Sequence, residues 1–169
     1  MSFDLQPTLR GELLELCPLE EHDFDALFAV AADPLIWEQH PASDRNEEAV
    51  FREFFRGAMA CGGAFKVLDL KTGAVIGSSR YCAYDAARRE VEIGWTFLAR
   101  SHWGGAYNRE MKRLMLDHAF RFVDRVFFLV GPENRRSQRA LEKIGASRAG
   151  VRDDGAGRTS VVYEIRGGT

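Results

Sequence analysis

The chain has 169 residues, with 23 lysines and arginines against 25 aspartates and glutamates, which gives a formal net charge of −2 at pH 7. This length fits one globular domain, and the near-neutral charge excludes the strongly basic surface typical of nucleic-acid-binding domains. No apolar run approaches the roughly 20 residues of a membrane span, and the N-terminus lacks the features of a signal peptide. We therefore expect a single domain over residues 1–169, located in the cytoplasm, with no nucleic-acid or membrane partner.

The first half of the chain predicts one strand, two helices and then two strands. An apolar run predicts a strand over residues 13–16, and apolar residues at helical spacing predict helices over 20–32 and 46–60. Residues 64–69 and 75–84 are then predicted strands, which a short glycine-containing turn joins into a hairpin.

The second half continues with a strand over 89–98, in which Val91, Ile93, Trp95 and Phe97 alternate with polar or small residues to form one apolar face. After a loop, the pattern predicts a helix over 105–123, a strand over 126–130 and a helix over 134–144. Val151 and residues 160–165 predict a last hairpin around Asp154, Gly155, Ala156 and Gly157. This order, β-α-α-β-β-β-α-β-α-β-β, predicts an α/β domain with a mixed sheet.

Cysteine and histidine spacing gives no sign of a metal site. Cys17, Cys61 and Cys82 are far apart without a C-x-x-C pair, and the four histidines include no H-x-x-x-H pair. We expect no metal and three reduced thiols, as in the cytoplasm.

A glycine-rich turn lies between the strand over 89–98 and the long helix that follows, and it reads Ser101-His102-Trp103-Gly104-Gly105-Ala106. Small residues let backbone N–H groups face outward, and a helix N-terminus adds positive charge, so the turn can hold a phosphate or pyrophosphate. Neither the Walker pattern nor G-x-G-x-x-G is present. A purely structural turn is the alternative.

A second polar segment runs from Asn134 to Ala146, directly after an apolar strand. Asn134 and Ser137 are three residues apart, so they share one side of the first helical turn. The alternative to ligand binding is a helix N-cap at Asn134 and a polar first-turn residue at Ser137.

At these two segments the sequence resembles the GNAT superfamily of acetyl-CoA-dependent N-acetyltransferases. The turn matches Q/R-x-x-G-x-G/A except at Ser101, and the second segment matches N-x-x-[SA]-x-x-x-x-x-K-x-G-[FA]. The strand Glu92-Ile93-Gly94-Trp95 is most similar to the branch that acetylates ribosomal-protein N-termini. The element order matches over essentially the whole chain. The resemblance implies a single-domain α/β fold with a mixed, mostly antiparallel sheet flanked by helices.

The resemblance implies that acetyl-CoA is the co-substrate and binds along both motifs. Backbone N–H groups of the turn would hold the pyrophosphate, and the preceding strand, where the family opens its sheet near a bulge, would pair with the pantetheine arm. The second motif would contact the pantetheine and the thioester sulfur. These cofactor-binding residues are Trp103, Gly104, Gly105, Ala106 and Tyr107 in the turn, Phe97, Leu98 and Ala99 in the strand, and Asn134 and Ser137 in the second motif. Arg100, Arg109, Arg135 and Arg139 are either contacts for the 3′-phosphate or solvated surface residues.

Amide formation from a thioester needs a base for the amine, a donor for the carbonyl oxygen and an acid for the leaving thiolate. Glu92 is the candidate base, directly or through a water, with Glu90 as its rival and an exposed strand carboxylate as the alternative. A backbone N–H near Leu98 could polarise the carbonyl. Many members carry a tyrosine where this chain has Leu141, so Ser137 is the available acid.

The resemblance implies a primary-amine acceptor, either a protein N-terminus or a small molecule. Candidate wall residues for the acceptor are Trp37, Glu38, His40, Tyr81, Tyr84 and Arg158, and Glu38 or Asp85 could attract a cationic amine. Leu141 favours the alternative of a non-catalytic acyl-CoA-binding regulatory domain. A homodimer is compatible with the resemblance.

Overall fold

The computed structural model describes residues 2–153, 155 and 157–167. The strands are β1 (Leu9–Arg10), β2 (Leu14–Pro18), β3 (Ala64–Asp69), β4 (Val75–Asp85), β5 (Glu90–Leu98), β6 (Arg125–Val130), β7 (Ser147–Asp153) and β8 (Thr159–Arg166). The helices are α1 (Phe24–Ala31), α2 (Glu48–Cys61), α3 (Ala106–Ala119) and α4 (Arg135–Lys143). Three short 3-10 turns precede α1, follow α1 and precede α3.

All eight strands form one sheet in the order β1-β2-β3-β4-β5-β6-β8-β7. Only β5 and β6 are parallel, and the remaining neighbours are antiparallel. The predicted mixed, mostly antiparallel α/β architecture is therefore confirmed. The two-residue strand β1 was not predicted, and Asp154 and Ala156 of the predicted last turn lie outside the described residues.

Hydrophobic side chains pack on both faces of the sheet. One cluster joins α3 to strands β2–β6 and β8 through buried side chains such as Met111, Met115 and Val126. The other joins α1 and α2 to the opposite face through Leu27, Phe51 and Phe55. The central strands are therefore covered on both faces.

A bulge in β5 corrects the predicted alternation of that strand. Ser78 pairs with Phe97 but Arg80 pairs with Gly94, so β5 carries one extra residue between these two pairs. The bulge lies at Trp95, whose backbone has a φ of 52°. Ile93 therefore packs in the α3 cluster, whereas Trp95 and Phe97 pack with the α1 and α2 cluster on the other face. The prediction of one shared apolar face was wrong for these two residues.

The expectation of three reduced thiols was wrong for two of them. Cys61, the last residue of α2, forms a disulfide with Cys82 of β4, with their Cα atoms 6.0 Å apart. Cys61 and Cys82 are 21 positions apart in sequence. They lie close together because the chain just after Cys61 pairs with the chain just before Cys82, where the Gly63 C=O accepts a hydrogen bond from Tyr81 N–H. Cys17 is a free thiol.

Among the described residues, no helix has the length and apolar character needed to cross a membrane.

Candidate functional site

Strands β5 and β6 separate along their length and leave a cleft. Their parallel pairing extends only from Glu90 and Arg125 to Glu92 and Phe127. Beyond that point, residues 93–98 and 128–131 line opposite walls of a cavity of about 930 Å³, together with the starts of α3 and α4. The sheet thus opens next to the β5 bulge, as the sequence resemblance implied.

One end of the cleft is formed by the glycine-rich turn. Gly104 and Gly105 line it with φ of 117° and 106°, a conformation that other residues rarely adopt. Gly105 is the N-cap of α3, so no side chain caps the first-turn N–H groups of that helix. An uncapped helix N-terminus that opens into a cleft can bind an anion.

The other predicted residues of the turn take different positions. Ala106 and Tyr107 begin α3 and do not line the cavity, and the Tyr107 hydroxyl lies 3.4 Å from Asp69. Trp103 lines the cavity, and its indole Nε1 donates to the Leu98 C=O at 2.9 Å. The Arg136 guanidinium stacks 4.0 Å from the centroid of the Trp103 ring.

The end of β5 directs alternate backbone groups into the cleft. The Ala99 N–H donates to Ile76 O on β4, so this N–H points toward β4 and away from the cleft. By strand alternation, the N–H and C=O of Leu98 point away from β4 and toward the gap. Phe97 and Leu98 line the cavity, whereas Ala99 does not.

The second motif forms the start of α4. Asn134 is its N-cap, and the Asn134 Oδ1 accepts a hydrogen bond from Ser137 N–H at 3.3 Å. The structural role considered for Asn134 is therefore present, and Asn134, Ser137 and Leu141 all line the cleft. The Ser137 hydroxyl makes no hydrogen bond to any other described residue, and Leu141 is buried.

Glu92 is a buried carboxylate beside the cleft. Its side chain is 7% exposed, and one carboxylate oxygen lies 3.3 Å from the position that a Cβ on Gly94, a lining residue, would occupy. Burial raises the pKa of Glu92 to about 7, against the opposing effect of Arg152 and Arg80. The rival Glu90 forms an ion pair with Arg125 at 2.9 Å. Of the two carboxylates, Glu92 has the properties of a proton acceptor near neutral pH.

Lys112 is a cleft residue that the sequence did not identify. It lines the cavity from α3 with 5% exposure, and its Nζ donates to the Thr96 hydroxyl at 2.7 Å. Burial lowers the pKa of Lys112 to about 7, and no carboxylate pairs with it in the described part of the chain. A buried amine of this kind can donate a hydrogen bond to a developing anion.

Three of the four arginines considered for phosphate contact face the cleft. Arg109, Arg135 and Arg139 line the cavity, whereas Arg100 forms an ion pair with Asp33.

Three of the residues predicted for the acceptor wall line the cleft. Trp37, Glu38 and His40 line the cleft close to the β5 bulge, and we call this part, with Gly94 and Trp95, the bulge end. Tyr81 is buried in the core, where its hydroxyl bonds to Met115 O, and Tyr84 packs against Phe3, so the prediction was wrong for these two. Arg158 lines a smaller adjacent cavity of about 580 Å³ with Glu38 and His40.

Known proteins share this sequence pattern and fold. The family model for the acetyltransferase (GNAT) domain matches residues 14–147. An N-acetyltransferase of Bacillus licheniformis, p20, whose function is uncharacterized, is 27% identical over 87% of this chain and 86% of its own. A protein of T. thermophilus classed as an acetyltransferase is 32% identical, with a TM-score of 0.74 over 94% of this chain and 88% of its own. Mycobacterium smegmatis RimJ, solved with CoA-disulfide, is 22% identical and has a TM-score of 0.71 over 95% of this chain and 86% of its own.

Proposed function

Because this chain belongs to the GNAT acetyltransferase family, we propose that it transfers an acetyl group from acetyl-CoA to a primary amine. The observation that carries this proposal is the cleft between β5 and β6, which has an uncapped helix N-terminus at one end and a buried carboxylate, Glu92, beside its lining residue Gly94. The helix N-terminus can bind a pyrophosphate, and the carboxylate can accept the proton that an amine loses.

The residues of the cleft fit acetyl-CoA in shape and charge. A Cβ on Gly104 would meet no atom within 4 Å, so the turn is open on the side of the cleft. The backbone N–H groups of Gly104, Gly105, Ala106 and Tyr107 hold the pyrophosphate. Arg109, Arg135 and Arg139 add positive charge for the remaining phosphate.

Phe97 and Leu98 line the path of the pantetheine arm along the open edge of β5. Trp103 covers this segment through its bond to Leu98. Asn134 positions the first turn of α4, and Ser137 then lies beside the thioester sulfur.

Acetyl-CoA supplies the activated acetyl group. The amine nitrogen attacks the thioester carbonyl carbon, the carbon–sulfur bond breaks, and the products are an amide and free CoA. Glu92 accepts the proton that the amine loses, directly or through a water. The Leu98 N–H stabilises the carbonyl oxygen. The Ser137 hydroxyl donates a hydrogen bond to the leaving thiolate, which takes up a proton from solvent to give free CoA.

The test measures thiol release from acetyl-CoA with a panel of primary amines that includes amino acids, polyamines and N-terminal peptides. We expect thiol release that depends on the amine, together with a higher melting temperature in the presence of acetyl-CoA. If every amine fails while acetyl-CoA still raises the melting temperature, the chain is the regulatory acyl-CoA-binding domain that Leu141 favours. If neither response occurs, the cleft does not bind acetyl-CoA.

A further inference from the structure

The bulge end of the cleft adjoins Arg80, a buried arginine that forms no ion pair with a carboxylate among the described residues. Arg80 on β4 is 5% exposed, and its Nε is the one buried side-chain nitrogen or oxygen without a hydrogen-bond partner in the described part of the chain. None of the ion pairs among the described residues includes Arg80. Several arginines farther from the cleft are paired with carboxylates, as in Arg89 with Asp124 and Arg125 with Glu164.

A second arginine shares the same aromatic surroundings. The guanidinium carbons of Arg45 and Arg80 lie 4.9 and 5.2 Å from the centroid of the Phe54 ring. Arg80 also lies 4.1 Å from the Trp95 ring and Arg45 5.5 Å from the Trp37 ring, and both tryptophans line the cleft. Aromatic faces hold the two cations in place but supply no negative charge.

The acidic groups around these arginines do not balance their charge. Arg80 is near Glu92, whose pKa of about 7 leaves it partly neutral at pH 7, and Arg45 is near Asp44, which is exposed. Burial lowers the pKa of each arginine to about 10, so both remain charged at neutral pH. A buried cation without a counter-ion is costly, so such a group is normally paired.

We infer that the amine acceptor carries an oxyanion, either a carboxylate or a phosphonate, which Arg80 and Arg45 neutralise when the acceptor binds. This inference rests on the proposed acetyl transfer and names its substrate class as a small amine bearing an anionic group, of which an amino acid is the simplest example. The amine is directed toward Glu92, which lies near Arg80, while the oxyanion takes no part in the bond changes. The sequence analysis considered the opposite arrangement, in which Glu38 or Asp85 attracts a cationic amine.

The experiment compares matched amines that differ only in the anionic group. Thiol release from acetyl-CoA is measured for the amino acids, their carboxamides and aminoalkyl phosphonates, and for polyamines as cationic acceptors. The variants are Arg80→Met, Arg80→Lys and the exposed control Arg56→Met on α2. For wild type, we expect kcat/KM to be higher for the anionic member of a pair by roughly tenfold to a hundredfold, the range for one hydrogen bond to a charged group.

Arg80→Met should lower kcat/KM much more for the anionic amine of each pair than for its carboxamide, so that the preference is lost, whereas Arg56→Met should behave as wild type. Arg80→Lys should retain part of the preference, which keeps the test informative if Arg80→Met does not fold. A wild-type enzyme that uses carboxamides, peptides or polyamines as well as the anionic amines overturns the inference but leaves the acetyltransferase proposal standing. Preference for carboxylate or for phosphonate identifies which oxyanion the site accepts.

Discussion

At the level of single residues, burial and the lack of a hydrogen-bond partner distinguish Glu92 from Glu90, the other carboxylate of β5. Both Glu90 and Glu92 precede the opening of the sheet, but Glu90 is held by Arg125 while Glu92 has no hydrogen bond within the described residues. A paired carboxylate is a poor base because its ionised form is already stabilised. The sequence alone placed both on the same face of the strand, so only the contacts separate them.

Glu92→Gln should lower kcat by about 10²-fold, the usual contribution of a general base. In wild type, kcat/KM should rise with pH through the Glu92 pKa of about 7, because the carboxylate accepts a proton only when ionised. The part of that rise due to Glu92 should disappear in Glu92→Gln, which leaves only the ionisation of the amine substrate, and it should persist in the control Glu90→Gln. Measurement of pH–rate profiles with one amine tests this, and an unchanged profile in Glu92→Gln would remove Glu92 from the base role.

Ser137→Ala should slow turnover more than it weakens acetyl-CoA binding. The hydroxyl lines the cleft without a described partner, so its loss leaves the fold intact while it removes a donor for the leaving thiolate. Single-turnover kinetics and acetyl-CoA titration separate the two effects. A larger loss in affinity than in rate would make Ser137 a binding contact only, and Ser101→Ala, which alters a residue outside the cleft lining, is the control.

At the level of elements, hydrophobic periodicity predicted most of the helices and strands because these have a face in a core, whereas β7 is exposed along its whole length. Periodicity could not predict the β5 bulge, since alternation continues in the sequence through Trp95 while the backbone inserts an extra residue there. The disulfide between α2 and β4 was missed for a related reason, because strand pairing rather than spacing brings Cys61 and Cys82 together. The glycine-rich turn and the segment that begins at Asn134 could be recognised from the sequence, because each is a short local pattern between a strand and a helix.

Gly105→Glu should abolish acetyl-CoA binding. The substitution puts a side chain at a backbone φ of 106° and adds negative charge at the α3 N-terminus, where an anion is expected. Gly73→Glu is a matched control, because Gly73 has φ of 75° in an exposed hairpin turn away from the cleft. Titration of both variants with acetyl-CoA measures the effect, and wild-type affinity in Gly105→Glu would contradict the pyrophosphate assignment.

Across the whole molecule, a net charge of −2 conceals an uneven distribution. Many arginines far from the cleft form ion pairs with acids, such as Arg52 with Glu48 and Arg89 with Asp124, whereas Arg109, Arg135 and Arg139 in the cleft form none among the described residues. The sequence predicted the positive charge at the cofactor motifs, because those arginines lie within or next to them. It could not predict Arg80 or Lys112, since a strand or helix pattern does not reveal which charged residue faces the interior of the folded chain.

Lys112 makes the stability of the whole molecule depend on pH, and Lys112→Met should abolish that dependence. Its pKa is lowered from 10.5 to about 7 in the folded protein, so between these values the unfolded chain binds more protons. The free energy of unfolding of wild type should therefore rise with pH, by up to about 1.4 kcal/mol per pH unit between about pH 7.5 and pH 9. Lys112→Met should be more stable than wild type at pH 7.5 and nearly flat over this range, whereas the exposed control Lys71→Met should follow wild type. Urea unfolding at each pH measures these slopes, and parallel curves for Lys112→Met and wild type would show that the Lys112 amine is not desolvated.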